Sequence, residues 1–362
     1  MKRWLASMMT QGVVLACVLL VFTLAYGQGQ VAPVSKTKPA TSPTKYVPPR
    51  TADGQPDLQG VWANNNATPL ERPVALAGRA LLTDAEVAAL KAKSQELFNG
   101  DGDAAFGDDV FLAVLAGTKK FSSSDATTGN YNQFWIADRD FDNRTSLITD
   151  PPDGRLPPLT PEAQKRRAGP QQDRTQRGFN GPEDRALSER CITFGAPRVQ
   201  AAYNSYFQIF QTRTHVAILM ETIHDARIVP IDGRPHVGQG IRQWLGDSVG
   251  RWEGDSLVVE TTNYSPKSDF RGAHENLHIV ERFTRVSPNR IDYTIAVNDP
   301  TTWTKPWTAM IPLKLTRDEI YEYACHEGNE GMVGILEGAR AQEKAAGTER
   351  LEDAKKRNPN PR

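Results

Sequence analysis

Two of the six histidines stand four residues apart with a glutamate after the first, in His274-Glu275-Asn276-Leu277-His278. This spelling fits the H-E-x-x-H zinc motif, in which a helix brings both imidazoles to one face and the glutamate activates a metal-bound water. The flanking sequence opposes a helix, because 277–286 is rich in β-branched and aromatic residues, meets a Pro288-Asn289 turn, and pairs naturally with 290–298. On a strand the two rings would stand about 13 Å apart, too far for one ion. His274, His278 and His326 are therefore only weak metal candidates, and the cofactor stays open.

Three other groupings could carry chemistry. Cys325-His326-Glu327 places a histidine beside a carboxylate near a strand end, where His326 could move a proton with Glu327 assisting. The competing reading is a satisfied structural histidine with an exposed glutamate. His236, ahead of the flexible Gly238-Gln239-Gly240, and Glu281 are the second acid–base candidates. His224-Asp225 lies at one end of a short apolar strand, and Arg242 and Trp244 share a face if 241–245 is a strand. Such an Arg and Trp could hold an aromatic carboxylate or simply pack as stem and ring. Gly246-Asp247-Ser248-Val249-Gly250 matches the Gly-x-Ser-x-Gly elbow in letters, but a turn and a strand follow it rather than a helix, so it reads as a loop.

These groups need a scaffold, and the sequence supplies period-two segments. All six histidines fall between Tyr203 and Asn329. Strands are expected at 206–212, 215–222, 227–231, 241–245, 256–263, 277–286, 290–298 and 307–315, with a short one at 320–324. Asp232-Gly233, Gly246-Asp247, Gly254-Asp255 and Pro288-Asn289 punctuate them as turns. Earlier, Pro56-Asp57-Leu58-Gln59-Gly60-Val61-Trp62 reads as a first strand with a tryptophan to bury. Thr83-Asp84-Ala85-Glu86 is a capping box opening a helix with Val87, Leu90 and Leu97 on one stripe. A shorter helix is expected over 106–116, and a third from Thr160 as N-cap and Pro161 as first residue to Arg167. Tyr131, Phe134, Trp135 and Phe141 form an aromatic cluster, and 148–159 is too proline-rich for regular structure.

The 362 residues, 39% hydrophobic, suffice for a sizeable core. Forty-three basic and 43 acidic side chains cancel, and no basic stripe points to nucleic acid. A small molecule is the expected partner, and oligomeric state stays open. Lys2 and Arg3, the apolar run 12–26 and Ala25-Tyr26-Gly27 read as a signal peptide, which implies a periplasmic or secreted protein with no stable membrane span after cleavage. Cys191 and Cys325 then remain, as a disulfide or as two buried thiols. The expected divisions are 1–27 signal peptide, 28–50 disordered tether, 51–200 first strand with a helical and proline-rich insertion, 201–330 β-barrel, and 331–362 C-terminal helix and tail.

Gly60-Val61-Trp62 resembles the Gly-x-Trp opening of lipocalin-like barrels. Pro56-Asp57-Leu58-Gln59-Gly60-Val61-Trp62, Asp150-Pro151-Pro152-Asp153-Gly154-Arg155, Gly250-Arg251-Trp252-Glu253-Gly254-Asp255-Ser256-Leu257-Val258-Val259-Glu260-Thr261 and Tyr323-Ala324-Cys325-His326-Glu327-Gly328-Asn329 together resemble a family of exported bacterial proteins of unassigned function. That resemblance implies export and a shared architecture but no catalytic residues. The expectation is a mainly β protein, an antiparallel meander closing into a lipocalin-like barrel that binds a small molecule. The alternative is a hydrolase, lyase or isomerase using a His/Glu site, with a zinc metalloprotease less favoured.

Overall fold

The computed structural model describes residues 46–99, 102–122, 139–168, 178–195, 197–201 and 205–357, with backbone alone over 348–357. Tyr131, Phe134 and Trp135 of the aromatic cluster, the signal peptide and most of the tether lie outside the described residues.

A ten-stranded antiparallel sheet is the scaffold, made of β1 (Gly60–Ala63), β2 (Ile148–Asp150), β3 (Tyr206–Gln211), β4 (His215–Met220), β5 (Ala226–Pro230), β6 (Asp247–Glu253), β7 (Ser256–Thr262), β8 (His278–Ser287), β9 (Arg290–Asn298) and β10 (Trp307–Thr316). Its order is β5-β4-β3-β1-β10-β9-β8-β7-β6, with β2 on the free part of the β10 edge. The short first strand therefore joins two meanders, pairing Trp62 with Phe207 on one side and Leu315 on the other. Trp62 is fully buried, its indole N–H donates to the Leu58 carbonyl at 2.8 Å, and the Arg285 guanidinium lies 5.5 Å from its ring centre.

Alternation decides which face is buried. Ile291, Tyr293, Ile295 and Val297 of β9 all point inward, as do Trp307, Ala309, Ile311 and Leu313 of β10 and Val216, Ile218 and Met220 of β4. Each large apolar side chain so buried contributes about 1.5–3 kcal/mol against exposure, which fixes the register, since a one-residue slip would put the whole set in water.

The expected barrel is corrected to an open sheet: its end strands β5 and β6 form no ladder. They meet through side chains instead. A Cβ on Gly250 would fall 2.8 Å from Ile231 Cγ2 and 2.9 Å from Val229 Cγ1, so the glycine lets β6 lie against side chains of the β5 end of the sheet. Pro230, without an N–H, ends β5.

Two expected strands are absent. Residues 241–245 make one isolated bridge, Gln243 to Tyr264, and expose Ile241 and Trp244, so no period-two face is buried there. Residues 320–324 run irregularly from β10 towards Cys325. Two strands were not anticipated: β6, whose Gly250 and Gly254-Asp255 read as loop, and β2, three residues at the edge of the proline-rich stretch.

The insertion carries its own smaller core of Ala67, Leu76, Leu82, Ala105, Val110, Phe111 and Phe141. Against it pack Val87 and Leu90 of α1 (Asp84–Leu97), whose Thr83 and Glu86 form the expected reciprocal cap. Helix α2 (Asp109–Leu115) contributes Val110, Phe111 and Val114, and Phe111 stacks on Phe141 at 6.2 Å. Helix α3 (Pro161–Arg167) begins at Thr160, whose hydroxyl accepts from the Ala163 N–H at 3.1 Å. Helix α4 (Glu330–Arg357) closes the described chain. No helix among the described residues is long and apolar enough to cross a membrane. Cys191 and Cys325 are joined as a disulfide, Cα atoms 5.6 Å apart, which settles the choice left open by sequence.

Candidate functional site

At the end of the sheet where β7 finishes and β6 and β8 begin, the connecting segments surround a cavity of about 480 Å³. Phe194, Trp244, Tyr264 and Phe270 give it aromatic walls, and Arg185 and His274 are among its polar ones. Two stretches build it. The first leaves β7 through Asn263, which is held at a positive φ of 55° and aims Tyr264 inward. Arg242 binds the carbonyls of Tyr264 and Glu275 at 3.1 and 2.9 Å, fastening both ends of the β7–β8 connection. Within it Phe270 and Ala273 exchange backbone hydrogen bonds, and Phe270 stacks on the buried Trp307 at 6.4 Å.

The second wall is the segment from Gly178 to Gly195. The Cys191–Cys325 bridge anchors it, and the Asn329 side-chain amide donates to the Glu189 carbonyl at 3.1 Å. The Thr193 hydroxyl donates to Asp225 Oδ2 at 2.6 Å. Burial pushes the Asp225 carboxyl above the usual range, against the opposing pull of that hydroxyl, the Phe194 N–H and Arg198. Arg185 is almost buried, lies over the Phe179 ring at 4.7 Å and pairs with Glu189.

Beneath this end, inside the sheet, lies a charged pair. Arg227 of β5 grips Glu281 of β8 with two bonds of 2.5 and 2.8 Å, and the Tyr293 hydroxyl of β9 donates to the same carboxylate. Burial alone would lower the Arg227 pKa, but attraction to Glu281 and the hydrogen bonds to it prevail and raise it. Burial and then the Glu281 charge push the Tyr293 and Tyr264 hydroxyls up. The pair holds β5 to β8 across the interior, beside the seam where β5 and β6 have no ladder.

Trp244 and His274 of the sequence candidates therefore reach the cavity, and Asp225 backs its wall through Thr193. The others go elsewhere. Arg242 is a tie between two carbonyls rather than a partner of Trp244 on a strand face. His224 is exposed, at a positive φ of 42°. His326 and Glu327 sit exposed in the turn after the disulfide, and Glu281 is locked in the core. His236 pairs through Nδ1 with Asp247 Oδ2 at 2.7 Å, on the β5–β6 connection. Of the acid–base candidates, His326 and Glu327 thus stay together in an exposed turn, while His236 and Glu281 lie elsewhere, and none of the four lines the cavity.

The zinc spelling fails for the reason expected from its flanks: His278 opens a strand and meets Glu260 at 2.8 Å, whereas His274 turns to the Ser268 carbonyl. Among the described residues no group of three or more His, Cys, Asp and Glu could hold a metal ion. Tyr264, Phe270, Thr193 and Arg185 were missed because each stands in a connection with no motif of its own. The available signal was positional, since loops at alternate joints of a meander gather at one end of the sheet.

Fold and cavity together define a mainly β, antiparallel protein with an aromatic-walled cavity at one end of its sheet. No family model matches the chain, and neither the curated proteins nor the solved structures contain a match to it.

Proposed function

We propose that the protein is an exported small-molecule-binding protein, with the ligand in the cavity between Trp244 and Phe270 at one end of its open sheet. The cavity itself is the observation that carries this reading: about 480 Å³ lies within the range of small-molecule sites, and its lining sets four aromatic side chains beside six charged ones, Glu183, Asp184, Arg185, Arg190, Lys267 and Asp269. The clustering of Trp244, Tyr264 and Phe270 supports a ligand with a flat apolar body, because rings stack on such a body at little entropic cost. The position of all four acid–base candidates outside the cavity lining favours binding over catalysis.

The probe for a test is 2-naphthol, followed by its own fluorescence. Saturable binding is expected, weakened about fivefold to tenfold by Trp244→Ala and abolished by Ser188→Trp, which fills the cavity from its wall. Failure of the wild-type protein to bind, or binding untouched by both variants when their circular dichroism is unchanged, would overturn the reading.

A further inference from the structure

The His274 imidazole lines the cavity and is bonded through Nδ1 to the Ser268 carbonyl at 2.5 Å. A carbonyl only accepts, so Nδ1 carries the proton, and in the neutral ring Nε2 is then an acceptor. The Nδ1 bond is the hydrogen bond this ring makes among the described residues, and Nε2 is not among the fully buried atoms, so it is open to the water of the cavity. Of the neighbouring polar groups, the Ser268 hydroxyl donates to the Trp244 carbonyl at 2.8 Å, the Thr193 hydroxyl to Asp225, and Arg190 grips Glu183 at 2.6 and 3.2 Å, whereas the Tyr264 hydroxyl and the Nε and Nη1 of Arg185 have no hydrogen-bond partner among the described residues.

The backbone that carries the ring is held by local hydrogen bonds. Ser268 N–H is tied to the Ser265 carbonyl, Gly272 N–H to Asp269 Oδ1, and Leu277 N–H to the His274 carbonyl. The segment carrying both the donor-fixing carbonyl and the ring is thus closed on itself, and Ala273 beside the ring is fully buried.

We propose that Nε2 of His274 is the polar recognition point of the cavity, and that the ligand is an aromatic compound bearing a hydroxyl, a phenol or naphthol in chemical class, whose O–H donates to it. This rests on the cavity being the binding site. The aromatic walls hold the ring, and the histidine selects for the donor on its rim. An ether or a plain hydrocarbon of the same shape leaves Nε2 without a partner as the cavity loses its water, which is the penalty that gives polar sites their discrimination.

The experiment compares 2-naphthol with 2-methoxynaphthalene by titration calorimetry on the full chain at about pH 8. The hydroxyl compound should bind about threefold to tenfold tighter. In His274→Phe the two should bind alike, and in ¹⁵N-histidine-labelled wild-type protein the Nε2 resonance of His274 should move on adding 2-naphthol. Equal affinity of the two probes for the wild-type protein, or an unmoved Nε2 at saturation, overturns the inference and leaves the binding reading standing. Binding of neither probe overturns both. The wild-type comparison and the resonance decide the matter even if His274→Phe fails to fold.

Discussion

Replacing Arg227 with methionine should cost far more than its surface value would suggest, and removing its partners as well should recover most of the loss. The guanidinium is 3% and the Glu281 carboxylate 0% exposed. In Arg227→Met the carboxylate loses two charge-assisted bonds and keeps the Tyr293 hydroxyl among its donors. At about 1.5–3 kcal/mol for each lost bond the cost is roughly 3–6 kcal/mol, in line with the roughly 3–5 kcal/mol typical of a broken buried pair. The triple variant Arg227→Met/Glu281→Leu/Tyr293→Phe removes every charge and donor of the group at similar volume. It should lie within about 1–2 kcal/mol of the wild type, because the desolvation cost of the ions is removed along with their attraction. Urea unfolding, followed by tryptophan fluorescence and far-ultraviolet circular dichroism, measures both. For a chain of this size the single variant should also melt about 5–9 °C lower. Since β5 lacks a ladder to β6, amide exchange over 226–230 should rise in the single variant before it rises in β9. A single variant costing under about 1 kcal/mol, or a triple variant as unstable as the single one, would refute the reasoning.

Two further outcomes follow from the site and its supports. The bridge between Cys191 and Cys325 closes a sequence separation of 134, so Cys191→Ala/Cys325→Ala should lose about 2–5 kcal/mol in urea unfolding and weaken 2-naphthol binding by loosening one cavity wall. Glu86, whose carboxyl is lowered from 4.5 to about 2 by Arg79 and then by the Thr83 N–H, should stay ionised in acid. A carboxylate with a depressed folded pKa stabilises above its ordinary pKa, and this support is lost as pH falls through about 2. The ¹³C shift of the Glu86 carboxyl should show that low midpoint, and Arg79→Ala should raise it.

The sheet was legible wherever alternation was uninterrupted. β9 and β10 could be read from 290–298 and 307–315 because inward positions carry Ile, Tyr, Val, Trp and Leu while their neighbours face out. Helix α1 was legible for a different reason, since Thr83 and Glu86 specify its start through two local hydrogen bonds. β6 escaped notice because Gly250 breaks its pattern for a tertiary cause, the approach of Ile231 and Val229. The absent strand at 241–245 is the converse: Ile241, Trp244 and Leu245 have the composition of a strand, but the tie from Arg242 and the single bridge at Gln243 shape it as a cavity wall. Barrel closure and the disulfide both depended on which segments meet, and the 134 residues between the cysteines give no local signal of that. Of the site, His274 was singled out by the H-E-x-x-H spelling and Trp244 by a strand face shared with Arg242, neither of which forms, and the tautomer that gives His274 its meaning came from the carbonyl of Ser268.

The central claim is that the cavity beside Trp244 takes the ligand, and ¹⁹F NMR of the 5-fluorotryptophan-labelled protein tests it most directly. The chain has seven tryptophans, and Trp244→Phe assigns the resonance of interest. On titration with 2-naphthol the Trp244 signal should shift saturably, with the same midpoint as the naphthol fluorescence, while that of Trp62, buried on the central strand, holds still. A Trp244 signal that stays in place while the probe saturates the protein would contradict the account.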